Sequence, residues 1–257
     1  VRFYRGELLV QLDRPLEAAE SFMAALDRAP KKPTPQELKL IKVSAEEGVR
    51  AYDRVLRQQA AAGKAKSPEV GEKFLAASER YLNLIRGPLD RFGLDILYRT
   101  GRIQYEAGEL EKAKAAFETV VTKGGGNTVG CFAANLLLDI YNGEGNFERL
   151  EEQARRFSAM KSLGCKPDEL RGFQALAEQA AFKRVRERVG ADSGELAEAY
   201  LKFHRRYGNS ELADDALYNA ALEVEKQGDD AQAKALRQEL IDTYPNSELT
   251  REALFDE

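Results

Sequence analysis

A chain with one histidine cannot build the sites that need two. His204 is the only imidazole among 257 residues, so two-histidine metal centres are excluded, and a serine–histidine–aspartate relay would have to be built on this one ring. It sits beside Lys202, Arg205 and Arg206 near a helix end. Positive charge suits the C-terminus of a helix dipole, so His204 reads as a solvated cation. There is no tryptophan, and the two cysteines, Cys131 and Cys165, are too few for a disulfide framework or a zinc site. They lie about one helix pair apart, which leaves two readings open. One is a bond between them, which needs Cα atoms within ~7 Å; the other is a half-buried thiol at each place. Gly124-Gly-Gly126-Asn127 lacks the lysine of a phosphate loop and reads as a link between helices. No catalytic, cofactor or metal constellation emerges.

Long apolar runs are missing too. None approaches the ~18 residues of a membrane span, so no direct membrane insertion is expected. No signal peptide or lipid-attachment motif is visible. Val1 falls inside a helix pattern with no initiating Met, so the chain reads as an excised segment of a longer protein. An excess of one charge is also lacking: 43 acidic residues face 39 basic ones, a net charge of -4. That leaves no footprint for nucleic acid. One local cluster, Lys183, Arg184, Arg186 and Arg188, alternates with Glu187 on a helix. It reads either as a solvated, ion-paired face or as a contact for phosphate or an acidic partner. Lys64 and Lys66 form a weaker basic loop.

What the chain does have is 43% apolar and 32% charged residues, rich in Ala and Leu, the mix of helices with one wet face. Residues 95–121 show the pattern best. They read as two short amphipathic helices with a turn at Gly108, a close helix approach at Gly101, and Ala113 and Phe117 on the inner face of the second helix. Leu8, Leu9 and Leu12, then Ala18, Phe22 and Ala25, predict an earlier pair around Asp13-Arg14-Pro15. Thr34-Pro35-Gln36-Glu37 predicts a capped helix running to about Ala61, and Ser67-Pro68-Glu69 starts another. A helix from Pro167 is expected to reach about Val189, with Gly190-Ala-Asp192-Ser193 as the next turn. Turns follow at Gly143–Asn146, Tyr207–Ser210, Gly228-Asp229 and Tyr244–Ser247.

The count is twelve full helices and part of a thirteenth, with no convincing strand. A period of roughly 34 to 37 residues implies repeats that stack to bury their faces. The expected division is 1–32, a divergent long pair at 33–92, then 93–127, 128–166, 167–209, 210–247, and a final helix start at 248–257. The long pair reads as part of the same stack or as an inserted hairpin. A severed repeat end would expose apolar surface, which makes self-association possible.

This spacing resembles the tetratricopeptide repeat family. The family pattern of small residue, turn glycine, alanine, aromatic and proline is met by Gly101, Gly108, Ala113 and Phe117, with Gly125 where the proline would stand. It is met by Gly6, Ala18, Phe22 and Pro30, with Asp13 in place of the turn glycine. Ala221, Gly228, Ala233 and Pro245 meet it again, with Arg237 replacing the aromatic. The pair from Cys131 keeps Leu138 and Gly145 but carries Leu150 and Ala154 instead of alanine and aromatic. The resemblance implies an all-α, right-handed superhelical solenoid of antiparallel helix pairs. It also implies a non-catalytic scaffold whose partners are other proteins or peptides, with a cytoplasmic adaptor, or the regulatory arm of an enzyme whose catalytic domain lies outside this segment, as the alternatives.

The resemblance further implies that the first helix of each pair lines a concave groove. The groove-facing positions fall on Asp95, Tyr98, Arg102 and Tyr105, on Phe132, Asn135, Asp139 and Asn142, and on Asp215, Tyr218, Leu222 and Glu225. Tyrosine, arginine and asparagine there offer area and hydrogen bonds together. Tyr98 and Tyr218 would alternatively pack between neighbouring helices. The carboxylate clamp of chaperone-binding members is missing, since its positions hold Tyr98, Arg102, Leu136, Glu178 and Phe182. Finally, Tyr207-Gly-Asn-Ser210 and Tyr244-Pro-Asn-Ser247, with Ala213-Asp-Asp-Ala216, resemble repeats of bacterial envelope assembly proteins. That likeness implies a periplasmic or outer-membrane-associated location, with the cytoplasm as the alternative.

Overall fold

The computed structural model describes residues 1–63, 67–85, 87–124, 126, 128–188 and 191–255. Gly125, Asn127, Lys64, Lys66, Val189 and Gly190, which entered the sequence reading, lie outside these. Thirteen α-helices and one 3-10 turn make up the described secondary structure. They are α1 (Arg2–Gln11), α2 (Pro15–Leu26), α3 (Pro35–Ala61), α4 (Pro68–Leu84), α5 (Arg91–Glu106), α6 (Leu110–Lys123) and α7 (Thr128–Gly143). After these come α8 (Phe147–Ala159), the turn Lys161–Leu163, α9 (Pro167–Arg186), α10 (Ser193–Arg206), α11 (Ala213–Lys226), α12 (Asp230–Thr243) and α13 (Glu248–Phe255). The chain is an all-α helical-repeat solenoid. It divides into two compact units, Val1–Val129 and Gly130–Glu257.

The helix starts follow local chemistry. At α3 the Thr34 hydroxyl accepts from the Glu37 N–H at 3.3 Å, and the Glu37 carboxylate accepts from the Thr34 N–H at 2.8 Å. This closes a reciprocal cap. Asp90, Asn146, Asp192 and Asp229 cap α5, α8, α10 and α12. Ser67 precedes α4 as expected, but its side chain makes no cap; its N–H donates instead to Gln59 Oε1 at 3.0 Å.

Four of the turns inside the pairs share one closure. Gly108 takes φ +77, and the amide after it reaches the carbonyl of Gln104 at 2.8 Å. Gly145 and Gly228 repeat this geometry. So does Asp13, with φ +54 and the Arg14 N–H on Leu9 O at 2.9 Å. A short polar side chain tolerates the left-handed region better than most, which is why the aspartate can stand where the other pairs use glycine.

In the first unit each helix packs on the next, from α1 through α6. The long α3 packs on α2 and α4 packs on α5, so the divergent pair stands in line with its neighbours. Its core runs from Leu9 and Phe22 through Val49, Tyr52 and Phe74 to Ile96. Polar ties cross the same layers: Arg54 meets Asp13 at 2.9 Å, Lys73 meets Glu20 at 3.2 Å, and Arg80 meets Asp27 at 2.8 Å. The stripe expected on α1 is only partly buried. Leu9 is covered, but Leu8 and Leu12 are 54% and 57% exposed. Gly6 and Leu9 face α2, and the opposite side of α1 has no helix against it among the described residues.

In the second unit α8 packs on α9, α10 on α9 and α11, and α12 on α11 and α13. Phe182, Phe203, Leu217 and Leu240 belong to its core. Cys131 and Cys165 are joined by a disulfide, with Cα atoms 5.1 Å apart. Of the two readings open in the sequence, the bond is the one realised. Tyr207 and Tyr244 each follow a second helix; Tyr207 reaches back to α8 and Tyr244 to the turn just after α10. The Tyr207 hydroxyl donates to Glu151 at 2.9 Å, and the Tyr244 hydroxyl donates to the Gly208 carbonyl at 2.9 Å.

His204 is not solvated as its basic neighbours led one to expect. Its side chain is only 12% exposed and stands edge-on to the Tyr244 ring. Its Nδ1 lies 3.2 Å from the Tyr244 hydroxyl and 3.3 Å from the Ala213 carbonyl. The following repeat covers it, which a reading of its own helix could not anticipate.

Candidate functional site

In the first unit one surface is built on the facing helices α3 and α5. On α3, Asp53, Leu56, Arg57 and Ala60 recur at helical spacing; on α5, Arg99, Arg102, Ile103 and Glu106 do the same. With Phe74 of α4 they enclose a cleft of about 170 Å³. Its floor is apolar and its rim is charged. Asp53 is largely buried and organises the rim, accepting from Arg57 Nε at 2.7 Å and from Arg99. Arg102 meets Glu106 at 3.1 Å and keeps about half of its side chain in solvent. A second cleft of about 370 Å³ adjoins on the same helices, lined by Arg50, Arg54, Phe92 and Asp95 among others. There the Arg50 guanidinium sits 4.0 Å over the Phe92 ring, a cation–π contact.

The groove residues named from the sequence separate by what they touch. Asp95 and Arg102 line these clefts. Tyr98 turns toward its own partner helix, its ring centroid 6.1 Å from that of Phe117. Burial raises its phenol pKa, against the lowering effect of Arg102, which is hydrogen-bonded to it. Tyr105 is half-buried. In the second unit Asn135 and Asp139 are exposed, as is Phe132. The Asn135 amide donates to the Cys131 carbonyl of its own helix at 3.0 Å. Tyr218 packs against the unit's core. Asp95, Tyr98, Arg102 and Tyr105 belong to the first unit, and Asn135, Asp139, Asp215 and Tyr218 to the second.

Asp215 is half-buried. Burial and the adjacent Asp214 hold its carboxyl above the usual value, while Arg186 pulls it down. A raised carboxyl pKa favours the neutral form in the folded chain, so this group's contribution is fullest below the ordinary aspartate range and is lost as pH rises through the folded value. Asp215→Asn is therefore expected to raise the melting temperature slightly at neutral pH, and the gain should vanish in acid. Melts across that range check it; a gain that persists in acid would give the effect another origin.

Sequence reasoning missed Asp53, Arg57 and Arg99. The long helix lies outside the repeat pattern, so no groove position could be transferred to it. The available signal was an Asp and an Arg one turn apart on the polar face of an apolar-striped helix. It also missed Glu151, which is 5% exposed although charged. Arg184 meets it at 2.5 Å, Arg206 at 3.1 Å and Tyr207 at 2.9 Å. Arg237, where the repeat pattern has an aromatic, stays buried and pairs with Glu225 at 2.8 Å.

For metals, one grouping comes close among the described residues: Cys131, Cys165 and Glu169 place donor atoms within 4.8 Å of one another. Its sulfurs are bonded to each other, and a disulfide offers no thiolate to a metal. No helix among the described residues is long and apolar enough to cross a membrane.

Residues 95–123 and 215–247 match the family model of the tetratricopeptide repeat. No curated protein matches the chain. Among solved structures, it is similar to the C-terminal part of a TPR repeat-containing protein from Cytophaga hutchinsonii. The identity is 11%, the TM-score 0.39, and the match covers 98% of this chain and 99% of that one. It is also similar to the DHF79 filament chain, at 21% identity and a TM-score of 0.21, covering 95% and 96%.

Proposed function

We propose that this chain, which carries tetratricopeptide repeats, is a non-catalytic scaffold that holds other proteins within a bacterial cell-envelope assembly. Repeats of this kind suggest protein–protein interaction, and the cleft between α3 and α5 supports a peptide-binding role. Its apolar floor offers burial, and Arg99 and Arg102 offer fixed donors beside it. The observation that carries the reading is Asp53, which holds Arg57 and Arg99 in place before any partner arrives. The disulfide supports an extracytoplasmic setting over a cytoplasmic adaptor, because such bonds persist in oxidising compartments and are rare where thiols are kept reduced.

The test is crosslinking in the native cell with identification of the captured proteins. Arg102→Glu is expected to reduce capture of at least one partner by roughly tenfold, the effect of losing a central contact of ~1.4 kcal/mol. The melting temperature should hardly move, since Arg102 is exposed. Tyr98→Ala would confuse the outcome by opening a space against Phe117, so Tyr98→Phe is the companion variant. Unchanged capture of every partner by Arg102→Glu would remove the cleft assignment.

A further inference from the structure

We propose that a further cleft, in the Gly130–Glu257 unit and beside Glu151, docks an acidic segment of a partner protein through its carboxylates. This rests on the scaffold reading but uses a different surface. The cleft has a volume of about 120 Å³ and is edged by Arg184, Arg188, Lys202 and Arg206 around the single carboxylate of Glu151. Four cations face one buried anion, so the cleft is positive on a chain whose net charge is -4.

Glu151 uses up little of that charge. It takes only Nη1 of Arg184 and Nη1 of Arg206. Among the described residues the other guanidinium nitrogens of both enter no hydrogen bond or ion pair, the Arg206 guanidinium lying 5.2 Å from the Tyr207 ring centroid, and Arg184 and Arg206 remain 40% and 42% exposed. The side chains of Arg188 and Lys202 are exposed and enter no ion pair among the described residues. A guanidinium has five donors in a rigid fork, so one clamped at one end presents the rest in fixed directions. Glu151 thus acts as an internal peg that orients two arginines toward the opening, and the ordering cost is met at folding rather than at binding.

The floor points to the kind of anion. Ala181, Val185, Ala199 and Phe203 lie beneath the charges. A glutamate or aspartate side chain brings methylene and backbone area to cover such a floor, whereas a free phosphate has no apolar surface to place there. The family's usual binding face belongs to the first helix of each pair. Here Glu151, Lys202 and Arg206 sit on the second helices α8 and α10, and Arg184 sits in the last turn of α9.

The experiment is fluorescence anisotropy of a labelled hexaglutamate peptide against the full chain. The site variant is Arg188→Glu with Lys202→Glu. The control is Lys31→Glu with Lys32→Glu, which makes the same change in net charge at exposed positions of the other unit. The expected result is binding that weakens with salt, survives in the control, and falls by roughly tenfold or more in the site variant. Arg188→Gln with Lys202→Gln should fall between, with melting temperatures unchanged. Absence of peptide binding would overturn the proposal, as would equal losses in site variant and control. Displacement of the peptide by inorganic phosphate at equal concentration and ionic strength would also overturn it, assigning the cleft to a small oxyanion. A chain that fails here yet still gives Arg102-dependent crosslinks keeps its scaffold role and loses only this site.

Discussion

Replacing Cys131 and Cys165 with alanine is expected to cost about 3–4 kcal/mol of stability, on the chain-entropy estimate for a loop of this length. The bond ties the first turn of α7 to the segment that leads into α9, so it encloses α8 and the short turn Lys161–Leu163. Packing within that loop is already tight. A Cβ added at Gly130 would meet the Leu163 carbonyl oxygen at 2.9 Å. The loss should therefore appear in residues 130–257 and spare α1–α6. Denaturant titration with and without reductant measures it, and hydrogen exchange locates it. Coincident unfolding curves for the oxidised and reduced chains would mean that the cross-link constrains nothing the fold does not already constrain.

A larger effect is expected where two helices of one pair touch. A Cβ on Gly101 would stand 2.7 Å from Phe117, and a Cβ on Gly6 would stand 2.6 Å from Phe22. Both phenylalanines are fully buried. Phe117→Ala is expected to cost ~3–5 kcal/mol through the cavity it leaves. Gly101→Leu is expected to cost roughly 1–3 kcal/mol through overpacking. In the pair α7–α8, Leu138 occupies the register of Gly101 and Ala154 that of Phe117, and both are buried. Bulk that one pair keeps on its second helix, this pair keeps on its first. The double variant Gly101→Leu/Phe117→Ala should therefore lose less than the sum of the single losses, by about 0.5–3 kcal/mol, the range seen for residues in contact. Strict additivity in a double-mutant cycle would show that the two positions do not share one volume.

That exchange explains part of what could be read from the sequence alone. Helix pairs and turns were legible because glycine, capping residues and apolar spacing act locally: α3 ends at Ala61 and Asp13 closes a turn, as expected. The Gly101 contact was legible because the family pattern encodes it. The pairs that had drifted were harder, since Leu138 and Ala154, both buried, put the larger side chain on the first helix and so erase the pattern. The sites were least legible. Asp53 with Arg99, and Glu151 with Arg184 and Arg206, join residues on different helices, and no spacing along the chain predicts which charges will meet. Tyr98 shows the converse. A tyrosine assigned to a recognition surface by register can spend its ring on the core instead.

The polar ties between helices have one further consequence. Arg54 with Asp13, Lys73 with Glu20, Arg80 with Asp27, Arg99 with Asp53, Arg184 and Arg206 with Glu151, and Arg237 with Glu225 all place the acid earlier in the chain and the base later. His204, facing the later Glu239, runs the other way. Within each unit these ties thus set an acid on an earlier helix against a base on a later one. A helix docked in reverse within a unit would set like charges against each other, so each unit has an electrical polarity as well as a hydrophobic one. During synthesis the same arrangement means that an emerging cationic helix finds its anionic seat already made.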